Sequence, residues 1–282
     1  MDIFDPKIDG IYTLLSSFLT NYEKANLATV SRKFMLACNP KYIYQLEAKN
    51  IDEALKFPNL ISLDNNYNQN ADYSQISNIV ILRELYMYNN QITDCSPLSS
   101  LVNLQTLSIG VNQIVDCTPL APLVNLRILY IFDNKIVNCS FLSSLVNLQE
   151  LRIAINCIVD CSPLAALINL QILSIDFNRI ADCSALASLV NLRILDIACN
   201  QIVDCSPLSS LVKLQKLDIH GNRIADCSPL AALINLYYLD LCSNRIADCS
   251  PLSSLVNLRE LYIRGNPITN IEVLSTLNVR IF

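Results

Sequence analysis

The chain has 282 residues, a formal net charge of −5, and only 16% charged residues against 52% apolar ones. Soluble domains average about 25% charged residues, so much of this chain must be buried, which excludes intrinsic disorder. The acid excess, 25 Asp and Glu against 20 Lys and Arg, excludes a basic nucleic-acid binder, and no unbroken apolar run of about 18 residues offers a membrane span.

The opening residues, MDIFDPKIDG, are acidic where a secretory signal needs basic groups, and no apolar stretch follows; export by that route has no support. Residues 1–50 predict a small helical domain. Ile11, Leu14, Leu15, Phe18 and Leu19 follow the spacing of one helical face. A polar break, Thr20-Asn21-Tyr22-Glu23-Lys24, separates them from a second such run, Leu27, Val30 and Phe34, which ends near Asn39-Pro40. Residues 42–56 predict a third helix. One reading of this domain is a cap, because the first turn of a stacked solenoid exposes its core edge. A second comes from residues 8–40, which resemble an F-box in Ile11, Leu14, Leu15, Phe18, Leu19, Leu27, Val30, Ser31, Arg32 and Phe34. Ile8-Asp9 replaces the usual Leu-Pro opening, and Tyr44 stands where a Trp is common. The resemblance implies that Ile11, Leu14, Leu15, Phe18, Leu27, Val30 and Phe34 dock on the adaptor subunit of a cullin ubiquitin ligase. Residues 51–81 read as a linker helix and a first, divergent repeat; residues 82–282 read as regular repeats.

From Leu60 onward the sequence recurs every 22 residues. Ten units begin at Leu60, Leu82, Leu104, Leu126, Leu148, Leu170, Leu192, Leu214, Leu236 and Leu258, with the consensus LxxLxIxxNxIxDCSPLxxLVN and no slip of register. Such a strict period predicts one structural turn per unit, stacked linearly. Apolar residues at unit positions 1, 4 and 6, as in Leu192, Leu195 and Ile197, predict a short strand. Asn at position 9, from Asn68 to Asn266, predicts a side-chain ladder bonding the backbone of a tight corner. Ile at 11 and Cys at 14 point inward. Ser at 15 and Pro at 16, as in Ser206-Pro207, read as the N-cap and first residue of a short helix or 3₁₀ turn. About seven inward apolar side chains, at roughly 1.5–3 kcal/mol each, cannot offset the entropy of ordering one 22-residue turn at about 1–2 kcal/mol per residue. Stacking is therefore obligatory.

Units such as LQKLDIHGNRIADCSPLAALIN (214–235) resemble the 22-residue leucine-rich-repeat class, which includes the internalins and a regulatory subunit of protein phosphatase 1. The D-x-S-P-L-x-x-L pattern is similar to internalin repeats; Cys at position 14 departs from their usual Ile. The resemblance covers residues 60–279 and implies an α/β solenoid, a leucine-rich-repeat horseshoe with a parallel concave sheet and short convex helical or 3₁₀ turns. It implies binding and no chemistry.

Eight of the 12 Cys lie at position 14: Cys95, Cys117, Cys139, Cys161, Cys183, Cys205, Cys227 and Cys249. They read as a buried column of free thiols acting as small hydrophobes, as disulfides between neighbouring turns, or as metal ligands. Stacked turns about 5 Å apart permit bridging by distance, although parallel, identical side chains disfavour the S–S torsion. Zinc spacing is missing, with no C-x-x-C pair and His220 as the one histidine. Many unbridged thiols point to a reducing, cytoplasmic location.

Positions 3, 5, 7 and 8 are expected to face outward from the sheet. Tyr67, Tyr86, Tyr88, Tyr130 and Phe132 then form an aromatic patch suited to anchoring a protein partner. Asp196, Asp218 and Asp240, one per turn, form a column of mutually repelling carboxylates. Arg179, Arg223 and Arg245 at position 10 are placed to relieve it. The Asp column is either a patch for a basic segment or a by-product of repeat duplication. Tyr262 and Arg264 complete the candidate partner-binding residues. No phosphate loop, G-x-S-x-G elbow or HExxH helix occurs. A Cys nucleophile would have to use His220, and Cys242 shares its unit position one turn on. No cofactor, metal, nucleic acid or membrane is implied. After the last unit, Ile281 and Phe282 are expected to fold over the exposed edge of a monomer.

The expected function is protein recognition, with the repeats holding a target and the N-terminal helices docking on a ubiquitin ligase. The alternatives are a cytosolic scaffold or phosphatase regulator with a capping N-terminus, and an internalin-like surface adhesin.

Overall fold

The structure is a computed structural model that describes residues 45–47, 51–69 and 72–282. The two N-terminal helical runs and the F-box-like residues Ile11, Leu14, Leu15, Phe18, Leu27, Val30 and Phe34 lie outside the described residues.

Among the described residues, twelve short strands form one parallel sheet in strict chain order. Each repeat strand pairs with the equivalent residues 22 positions on, so Leu195 faces Leu217 and Leu217 faces Leu239. The 3.6-residue period of an α-helix is absent from positions 1–6, and a period of two puts the central leucine inside with half-buried neighbours on either side, as in Ile194–Asp196. Behind the sheet lie Leu192, Leu195, Ile197, Ile202, Cys205, Leu208 and Leu211, all buried. The same seven positions recur turn after turn and merge into one core. The chain returns through a 3₁₀ turn such as Ser206–Ser210.

That turn is capped differently from the expected Ser. Cys205 takes the N-cap place and makes no side-chain cap bond. The backbone N–H of Ser206 instead donates to Asp204 Oδ1 at 2.8 Å, and the same bond joins Ser162 to Asp160 and Ser228 to Asp226. Asp at position 13 thus performs the cap, because its carboxylate reaches two residues forward as in an Asx turn. The Ser206 hydroxyl, and then its backbone N–H, hold the Asp204 carboxyl below its ordinary range.

The predicted third helix is not continuous: among the described residues of 42–56, Gln45–Glu47 is a strand, with Leu46 opposite Leu63, and Ile51–Ala54 is helical. The exposed edge of Ser62–Asp64 offers unpaired backbone groups, and pairing them wins over local helix formation. Ile51, Ala54 and Phe57 are then buried against the first turn. At the other end Arg280–Ile281 adds a strand beside Glu260–Tyr262. Phe282 stacks on Tyr262 with ring centroids 4.5 Å apart.

The corner after each strand has two fixed features. Position 8 adopts a left-handed backbone throughout, at Asn89, Val111, Asp133, Ile155, Phe177, Cys199, Gly221, Ser243 and Gly265 among others. The Asn that follows then bridges turns. Asn200 Oδ1 accepts the backbone N–H of Ile180 at 2.9 Å, and its Nδ2 donates to the carbonyls of Ile175 and Ile197 at 3.1 and 3.2 Å. The ladder repeats through Asn112, Asn134, Asn156, Asn178, Asn222 and Asn244, all buried.

The position-14 cysteines are buried free thiols. The Sγ–H groups of Cys161 and Cys205 donate to the position-13 carbonyls of the next turn, Asp182 and Asp226, both at 3.3 Å.

Candidate functional site

Outward residues of the strands and corners line one continuous sheet face, which divides into three zones. The first is aromatic. Tyr67 and Tyr88 meet edge to face at 5.3 Å, and Tyr88 and Phe132 lie 5.9 Å apart although two turns separate them. Gly110, in the intervening turn, leaves the space they use. Tyr67 is 70% exposed. Tyr130 is held aside from this row: its hydroxyl donates to Glu150 Oε1 at 2.9 Å, and the Arg152 guanidinium lies 5.2 Å over its ring. Tyr86 is half-buried beside Glu84 and Asp64, and burial first, then those carboxylates, raise its phenol.

The second zone is acidic. Strand register sets Asp196 opposite Asp218, and Asp218 opposite Asp240. Each carboxylate accepts the N–H two residues on, from Ala198, His220 and Cys242 respectively. Burial pushes the Asp196 carboxyl up to about 6, and the charges of Asp176 and Asp218 add to it. The expected relief by arginine does not occur. Arg179, Arg223 and Arg245 are exposed, and among the described residues no ion pair joins them to the Asp column. Position 10 lies past the left-handed corner, where the chain has already turned off the sheet face.

His220 takes that place instead. Its Nδ1 lies 2.7 Å from Asp218 Oδ1 and its Nε2 lies 3.4 Å from Cys199 Sγ. Burial lowers the imidazole, but the Asp218 hydrogen bond and the charges of Asp218, Asp240 and Asp196 outweigh it and hold His220 above its ordinary value. Its sulfur neighbour is Cys199, at position 8 of the preceding turn, rather than Cys242, which shares its unit position. The signal was present in the sequence as a 21-residue separation, since the corner brings position 8 beside position 7 of the next turn. Cys242 pairs with Asp240, although burial is the larger cause of its raised thiol.

The third zone is again aromatic. Tyr238, Tyr262 and Phe282 form a stack, with Lys216 Nζ 4.5 Å over the Tyr238 ring. Tyr238 at position 3 was missed by the sequence reading. Arg264 is exposed beside this stack. A separate polar groove beside the sheet, lined by Gln105, Arg127, Gln149, Gln171, Arg193 and Lys213, was also missed. Among the described residues, no helix is long and apolar enough to cross a membrane.

Comparison with known proteins agrees with this architecture. The family described as Leucine Rich repeats (2 copies) matches residues 82–122, 124–166, 168–210, 190–232, 212–254 and 234–276. An internalin of Listeria monocytogenes, InlF, is 32% identical with a TM-score of 0.66, over 80% of this chain and 76% of that one. Internalin C2 of the same organism is 38% identical with a TM-score of 0.65, over 66% of this chain and 83% of that one. The functional domain of InlJ, also from Listeria monocytogenes, includes a cysteine ladder; it is 22% identical with a TM-score of 0.60, over 80% of this chain and 60% of that one, and shares the fold. Among curated protein sequences nothing matches. Proteins built from such repeats generally act in protein–protein recognition and are typically binding proteins without enzymatic activity. By its repeats and by these relatives, the chain belongs to the leucine-rich-repeat family.

Proposed function

We propose that the sheet face holds a segment of another protein. An apolar or aromatic stretch of the partner would seat on Tyr67, Tyr88 and Phe132, and basic groups would follow on Asp196, Asp218 and Asp240. Tyr86, Tyr130, Tyr262 and Arg264 would line the rest of the path. The observation that carries this reading is the aromatic row of exposed Tyr67 and half-buried Tyr88 and Phe132, followed on the same unbroken sheet by an acidic zone. Aromatic anchors are enriched where interfaces draw their energy, and carboxylates set one per turn in register on one face favour a cationic partner. Affinity capture with mass spectrometry tests it. Partners held by the parent chain should be lost with Tyr88→Ala/Phe132→Ala or with Asp196→Asn/Asp218→Asn, and kept with Val159→Ser on another surface. Retention by both face variants rejects the reading.

The finer reading, a substrate adaptor of a cullin ubiquitin ligase in the reducing cytoplasm, draws on the F-box-like pattern of residues 8–40 and on the free thiol column. A monomeric chain would bring its target to the ligase. Capture of the ligase adaptor subunit, lost on Leu15→Asp and on Phe34→Asp with the circular dichroism of the repeats unchanged, supports it. An intact complex with either variant rejects it in favour of a scaffold or phosphatase-regulator-like protein whose N-terminus is only a cap.

A further inference from the structure

We propose that Cys199 and His220 form a binding site for one divalent transition-metal ion of the zinc class, oriented by Asp218 and charge-matched by Asp240. Three consecutive turns supply these groups. Cys199 Sγ stands 3.4 Å from His220 Nε2. A tetrahedral ion with a sulfur ligand at about 2.3 Å and an imidazole nitrogen at about 2.0–2.1 Å separates those two atoms by about 3.5 Å. The pair is therefore already spaced as one edge of such a coordination sphere.

The histidine is also prepared on its far side. Asp218 Oδ1, 2.7 Å from Nδ1, accepts the Nδ1–H and leaves the Nε2 lone pair facing Cys199. This carboxylate–histidine arrangement is the one that orients metal-bound imidazoles. Asp218, His220 and Asp240 each place a donor atom within 4.8 Å of the others, so further negative charge lies at the site. Gly221 makes room. Its left-handed backbone carries no Cβ, and one built there would sit 3.0 Å from Cys199 Sγ. Cys199 and His220 are both half-buried, so solvent reaches them and at least two coordination positions stay open to water or to a partner's side chain.

The same three groups could suggest a nucleophilic thiol with a histidine base, and the electrostatics decide against it. Reactive cysteines sit in electropositive surroundings that stabilise the thiolate. Around Cys199 stand instead the carboxylates of Asp176, Asp218 and Asp196, which do the opposite. A divalent cation reverses that balance: the Cys199 proton leaves to solvent as the sulfur–metal bond forms. The carboxylates that oppose a free thiolate stabilise a bound cation.

Cobalt(II) titration of the full chain under reducing conditions tests the site, because a cobalt–thiolate bond gives a charge-transfer band in the near ultraviolet. One equivalent should raise the band, and one equivalent of zinc should abolish it. Cys199→Ser and His220→Ala should each remove it with circular dichroism unchanged. Cys157→Ser and Cys242→Ser should keep it. Asp218→Asn should keep the band but weaken binding about 10- to 100-fold, the usual effect of removing such an orienting partner. Absence of the band in the parent chain, its survival in Cys199→Ser or His220→Ala, or its loss in Cys242→Ser overturns the assignment.

Discussion

The ring of Phe132 occupies the space that a side chain on Gly110 would fill. A Cβ on Gly110 would lie 2.9 Å from Phe132 Cε1 and 3.1 Å from Cδ1 and Cζ. Through this gap Phe132 reaches back toward Tyr88 across the turn between them. Gly110→Ala should push the ring aside and break the aromatic row. The contact is with the far end of a mobile side chain, so thermal stability should shift by less than about 1 kcal/mol. Partner capture should fall as far as it does in Phe132→Ala. Wild-type capture by Gly110→Ala would show that the row is not a binding element.

Asn200 ties two turns together, and its loss strands the backbone N–H of Ile180, whereas the carbonyl of Ile175 keeps its bond from Asn178 Nδ2. A buried backbone group left unpaired costs about 1–3 kcal/mol. Asn200→Ala should therefore lower unfolding free energy by about 1–3 kcal/mol, measured by chemical denaturation. Asn178→Ala and Asn222→Ala should cost nearly the same, because their bonds are copies of these.

Ile155 adopts φ of +53° and is 48% exposed. A left-handed backbone costs a non-glycine residue roughly 1–2 kcal/mol, more than the 0.5–1 kcal/mol or so that glycine's extra chain entropy costs. Ile155→Gly should thus leave stability unchanged or raise it by about 1 kcal/mol, whereas Ile155→Ala should keep the strain. A clear loss in the glycine variant, read by thermal denaturation, would mean that Ile155 packs more strongly than its exposure implies.

The stretch of the thiol column from Cys139 to Cys227 should resist both alkylation and ionisation. Burial pushes Cys139, Cys183 and Cys205 up to about 12, and Cys161 and Cys227 up to about 11, with adjacent thiol and Asp charges adding to it. In the unfolded chain these thiols ionise near 9, so between about 9 and 12 the native state holds more protons. Stability is fully present below that window and falls as pH rises through it. Thermal midpoints should drop across the window, and less steeply in Cys161→Ala/Cys183→Ala/Cys205→Ala. Peptide mapping after brief alkylation at neutral pH should find label on Cys157, Cys199 and Cys242, which are half-buried, and none on that stretch of the column until the chain unfolds.

The repeat was legible because its core positions carry one residue type in unit after unit. Leu195, Ile197 and Cys205 lie buried where period-two and inward readings put them. The capping Asp204 was not legible in the same way. Ser206 and Pro207 matched the stronger cap pattern, and only the short span of a 3₁₀ turn shifts the cap one place earlier. The left-handed corner could have been read from Asn89, Asp133, Gly221 and Gly265, the residue types that favour it, sharing position 8. It was obscured by Val111 and Ile155 at the same place. Cys199 beside His220 depended on that corner, so missing the backbone meant missing the pair. Gln45–Glu47 carries no repeat signature; a partner edge supplied by later residues made it a strand.

The register never slips, so every junction between neighbouring coils presents one and the same pair of mating surfaces. Excising residues 192–213 would bring Leu173 opposite Leu217, a leucine meeting a leucine as before. Gene duplication or loss in steps of one coil can therefore lengthen or shorten the gripping wall without any new joint having to evolve. The outward side chains, meanwhile, remain free to diversify coil by coil.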